Sequence, residues 1–90
     1  MIEQKGLYRV EFQPEDEEFQ RMRERLNHFQ IGLRRGAGNS KLFYAYKGSH
    51  TETYTLRFDE IAQQWICNPI SGTPEEANRI RRIAIGEIQP

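Results

Sequence analysis

Ninety residues supply one domain with a single thin core, because a chain this short buries only about 60–65% of the surface its unfolded form exposes. An aromatic content of 11% separates it from disordered chains, and 13 basic against 13 acidic residues leave no overall cationic excess for gripping a nucleic-acid backbone. One cysteine rules out an internal disulfide, no apolar run approaches the roughly 20 residues of a membrane span, and residues 1–6 lack the apolar stretch of a secretion signal.

These features predict a cytoplasmic protein with no membrane partner, no metal and no cofactor. The elements follow in chain order. Residues 7–12 alternate, with Tyr8, Val10 and Phe12 on one side and Arg9 and Glu11 on the other, which predicts a strand with one buried face. Pro14 then opens a helix, since proline suits the first helical position, where its missing N–H would have no partner. Glu15, Asp16, Glu17 and Glu18 fill the first turn, where negative charge meets the positive end of the helix dipole. Phe19, Met22, Leu26 and Phe29 recur at three- and four-residue steps and make one apolar stripe.

Residues 30–35 read as a second strand carrying Ile31 and Leu33. A turn at 36–40, rich in glycine and asparagine, joins it to a third strand at 42–47, and the two form a hairpin. After a turn at 47–52, residues 53–58 alternate strictly, Tyr54, Leu56 and Phe58 against Thr53, Thr55 and Arg57. A third turn starts at Asp59 and Glu60, and residues 63–68, with Trp65, Ile66 and Cys67, form the fifth strand. Thr73, Pro74 and Glu76 make a capping box that opens a second helix. Ala77, Ile80, Ile83 and Ala84 form its inner face, and Gly86 ends it. The order is therefore β-α-β-β-β-β-α. Its expected architecture is an α+β two-layer sandwich, a mainly antiparallel sheet of about five strands with two helices on one face.

One strand carries functional interest. Residues 42–47 are apolar on both sides, with Leu42, Tyr44 and Tyr46 on one and Phe43 and Ala45 on the other. Helices on one face of a sheet leave the other to water. The expectation places Phe43 on that open face, either packed on the stems of Arg34 and Arg57 or exposed as a platform beside Arg34, Arg35 and Arg57. Aromatic and arginine side chains together favour contact with another protein or a second copy of this chain. The alternative is a nucleic-acid binder on the same face, with Arg34, Arg35, Lys41 and Lys47 on phosphates.

No catalytic constellation emerges. Residues 34–41 lack the Gly-Lys pair of a phosphate loop and lead into a strand. Residues 41–47 place leucine where an RNA-recognition motif wants glycine, and the element order differs from that fold. The order helix, three strands, helix also occurs in double-stranded-RNA domains, yet this last helix opens with Glu75 and Glu76, which would repel phosphate. His28 and His50 have no neighbours at metal-ligand spacing, and Cys67 reads as a buried small apolar residue. The segment at 65–76, in which Trp65, Cys67, Pro69, Gly72, Thr73, Pro74 and Glu76 trace a strand, a break and a capped helix, resembles short uncharacterised proteins of cyanobacteria. That resemblance implies no particular activity. The sequence predicts a non-enzymatic interaction or regulatory module.

Overall fold

A computed structural model describes residues 14–36, 41–49 and 51–90. The strand expected at 7–12 lies outside the described residues. Those residues form helix α1 (Pro14–Asn27), strands β1 (Gly32–Arg35), β2 (Leu42–Lys47), β3 (Glu52–Asp59) and β4 (Gln64–Pro69), and helix α2 (Pro74–Ala84). The sheet is antiparallel throughout and runs β1-β2-β3-β4, so the chain lays its strands down in sequence order. Within the described residues the order is α-β-β-β-β-α with four strands, an α+β arrangement.

Each helix has a local reason to start and stop where it does. α1 ends in a two-bond closure: Ile31 N–H donates to the Leu26 carbonyl at 3.1 Å and Gln30 N–H to the Asn27 carbonyl at 3.0 Å. Gln30 takes the left-handed conformation this closure needs, with φ 59°, and buried Leu26 and Ile31 add the accompanying apolar residues. α2 begins as the sequence predicts. Thr73 is the cap, and its hydroxyl accepts from Glu76 N–H at 3.1 Å. The reciprocal half of the capping box is replaced, because the Glu76 carboxylate meets Lys47 Nζ at 3.0 Å and Arg79 Nη1 at 2.8 Å. Gly86, at φ 90°, closes the far end. Arg25 reaches across from α1 to donate to the Ala84 carbonyl at 2.7 Å, which places a cation at the negative end of α2.

Both helices cover the same side of the sheet. From α1 come Phe19, Met22 and Leu26, and from α2 come Ala77, Ile80, Ile83 and Ala84, all buried. Beneath them the strands contribute Leu33, Phe43, Ala45, Tyr54, Leu56 and Trp65. Phe43 is the centre of an aromatic cluster. It stacks on Trp65 at 5.3 Å between centroids and meets the Phe19 ring edge-on at 4.9 Å. The Trp65 indole N–H donates to Glu18 Oε2 at 3.1 Å, which ties the start of α1 to β4. Tyr54 is buried whole, its hydroxyl donating to Glu52 Oε1 at 2.6 Å. Its ring lies against Gly72, where any Cβ would collide with it.

Candidate functional site

The register decides what is presented by the face of the sheet that, among the described residues, the two helices leave open. Leu33 lies opposite Ala45, Phe43 opposite Leu56, and Ala45 opposite Tyr54. Residues directly opposite in an antiparallel pair share a face. This set is the covered one, so the intervening residues face outward: Arg34 opposite Tyr44, Gly32 opposite Tyr46, and Arg57 opposite both Leu42 and Ile66. Thr53 and Thr55 fill the middle.

This corrects the expectation for Phe43. It is 2% exposed, on the helix-covered face, and cannot be a surface platform. Arg35 follows it, because Arg35 pairs with Phe43; its guanidinium lies over the Phe19 ring at 4.9 Å and the Phe43 ring at 5.8 Å. Lys47 also belongs to the covered side, joined to Glu76. Lys41 is exposed at the end of the sheet, 5.0 Å from the Phe58 centroid and 4.0 Å from a Glu60 carboxylate oxygen. The phosphate-binding group expected from Arg34, Arg35, Lys41 and Lys47 is thus dispersed, and Arg34 alone of the four projects from the open face. Residues 37–40 of the glycine-rich turn lie outside the described residues.

What that face does hold is Tyr44 and Tyr46, two positions apart on β2, with Arg34 opposite Tyr44 and Arg57 further along, opposite Leu42. Both tyrosines are partly exposed and both arginines are exposed. The Arg34 guanidinium lies 5.6 Å from the Tyr46 centroid, a cation–π contact that orients both groups without neutralising the charge. Neither Arg34 nor Arg57 meets a carboxylate among the described residues. Leu42 and Ile66 extend the apolar part of the surface on either side of Arg57.

The chemistry elsewhere is quiet. Burial pushes the Cys67 thiol up from its ordinary value near 9 to about 12, and the Arg81 charge opposes this weakly. Such a thiol carries little thiolate at neutral pH, the form a nucleophile needs. His28 is exposed just past the end of α1, and His50 lies outside the described residues. Among the described residues no three His, Cys, Asp or Glu side chains gather as a metal site, and no helix is long and apolar enough to cross a membrane. No protein-family model matches the chain, and neither a curated protein nor a solved structure matches it.

Proposed function

We propose that this protein is a small non-enzymatic interaction module of the cytoplasm that binds another protein through the open face of its sheet. The observation that carries this is the outward face itself: Arg34 lies opposite Tyr44 and over the Tyr46 ring, and Arg57 sits between Leu42 and Ile66 on the same face, two charges that no carboxylate offsets among the described residues. Tyrosine and arginine supply large contact area and strong hydrogen bonds at interface centres. Uncompensated guanidinium groups at a rim favour a partner with acidic side chains and speed the encounter with it.

A single-stranded nucleic acid is the second reading, favoured by two aromatic side chains at alternate positions of one strand, a spacing on which successive bases stack. Against it stands the dispersal of the cations, since Lys47 is bound to Glu76 and Arg35 faces the helices. The test is capture of partners by tagged protein from lysate of the source cells, with and without nuclease, for the wild type and for Tyr44→Ser combined with Arg57→Glu. The proposal expects a protein that survives nuclease and is lost with the double variant. Recovery that vanishes with nuclease, or that is indifferent to both substitutions, refutes it.

A further inference from the structure

We propose that the groove between β4 and α2 is a second, separate binding site, which takes an extended peptide segment of a protein partner as an added strand and holds an acidic side chain of that segment on Arg81.

The backbone supplies the first part. Within the described residues β4 pairs with β3 alone and forms one edge of the sheet. Ile70 N–H donates to the Thr53 carbonyl at 2.8 Å, whereas Phe58 N–H points away from β4, to the Lys41 carbonyl at 3.2 Å. Antiparallel pairs alternate between bonded and unbonded positions. With Thr55 opposite Asn68 and Arg57 opposite Ile66, the bonds to β3 fall at Gln64, Ile66 and Asn68. The N–H and C=O groups of Trp65 and Cys67 are therefore directed out from the sheet, as the template for one more strand.

The side chains supply the second part. Alongside this edge runs an open groove of about 290 Å³. Trp65, Cys67 and Pro69 line it from the strand, and Ala77, Asn78 and Arg81 from the helix. A residue added opposite Cys67 would turn its side chain inward, onto Cys67 and Ala77, a floor that suits a small or branched apolar group. The charges of α2 then select the partner. Arg79 is bound to Glu76 at 2.8 Å and Arg82 to Glu87 at 3.1 Å. Arg81, half-buried in the groove wall, meets no carboxylate among the described residues. An alternating apolar strand with one Asp or Glu complements this arrangement.

The test selects a phage-displayed library of random linear heptapeptides on the full chain and measures the synthetic consensus by fluorescence polarisation. Enriched sequences should combine apolar residues at alternate positions with an acidic one. Arg81→Glu should weaken the consensus peptide by about 10-fold or more, the loss of one charge-assisted contact. Arg81→Lys should keep most of the affinity, and Asn78→Trp, at an exposed position, should block the groove without touching the core. Tyr44→Ser should leave peptide binding unchanged, which separates this site from the open face. Hydrogen exchange supplies the location, since bound peptide should slow the Trp65 and Cys67 amides. No enrichment, or peptides indifferent to both Arg81→Glu and Asn78→Trp, overturns the proposal. So do Trp65 and Cys67 amides that are already slow without peptide and are released by Val10→Pro, because the chain itself then occupies the edge.

Discussion

Replacing Phe43 by alanine should cost about 3–5 kcal/mol, the range for truncating a buried aromatic and leaving a cavity. The upper half of that range applies, because Phe43 is 2% exposed and loses two ring partners at once, Trp65 at 5.3 Å and Phe19 at 4.9 Å. Each such aromatic contact contributes about 0.5–1.5 kcal/mol beyond the area it buries. A 90-residue domain has roughly 5–14 kcal/mol of stability in total, so this single change removes more than about a quarter of it. In urea, where small domains lose about 1–3 kcal/mol per molar, a loss of about 4–5 kcal/mol should lower the midpoint by about 1–5 M, and a less stable parent would be unfolded without denaturant. Tyr44→Ala, one residue along the same strand, should cost about 1 kcal/mol, since its side chain faces solvent on the open side. Equilibrium urea unfolding followed by tryptophan fluorescence suits the measurement, because Trp65 stacks on Phe43 and reports the cluster directly. If Phe43→Ala costs less than Tyr44→Ala, the faces of β2 are reversed and the whole account of the open face fails.

Two further outcomes test the ionisable groups. Burial first, and then the hydrogen bond to Glu52, push the Tyr54 hydroxyl up from 10 to about 12. Folding thus favours its neutral form: the contribution is complete below pH 10 and is lost as pH rises towards 12. Urea midpoints should fall over that interval, and Tyr54→Phe should remove part of the fall; a variant that tracks the wild type in parallel would refute the assignment. For Cys67, a thiol at about 12 instead of 9 has about a thousandth of the thiolate at a given pH, partly offset because a more basic thiolate attacks faster. Alkylation by iodoacetamide at pH 8 should run slower by about 10-fold or more in the native than in the urea-unfolded chain. Equal rates would restore the case for a reactive thiol.

The helices were open to sequence reading because each states its inner face in its own residues. Phe19, Met22 and Leu26, and Ala77, Ile80, Ile83 and Ala84, recur at helical spacing and are buried where that spacing puts them. Starts were legible too, since Pro14 and Thr73 are chemically specific. The end of α1 was not, because Gln30 holds the left-handed position that glycine usually marks. The strand at 42–47 is a different case. Its two sides are equally apolar, so the strand cannot say by itself which side the helices cover. That information resides in its neighbour, where Tyr54, Leu56 and Phe58 oppose Thr53, Thr55 and Arg57 in unambiguous alternation.

Transferring the neighbour's faces to β2 needs one number, the register. The hairpin closes with Lys47 opposite Glu52, an opposite-charge pair across four intervening residues. Counting back from that closure sets Ala45 against Tyr54 and Phe43 against Leu56, which assigns Phe43 to the core. The signal was therefore present, divided between a turn and the adjoining strand, and a shift of one residue would have exchanged the two faces. The same register brings Arg34 beside Tyr44 and moves Arg35 over Phe19, so two adjacent arginines acquire unrelated surroundings. A binding surface on a sheet is in this sense a property of strand pairing: Tyr44, Tyr46, Arg34 and Arg57 are spread over three strands, and only the register makes them neighbours.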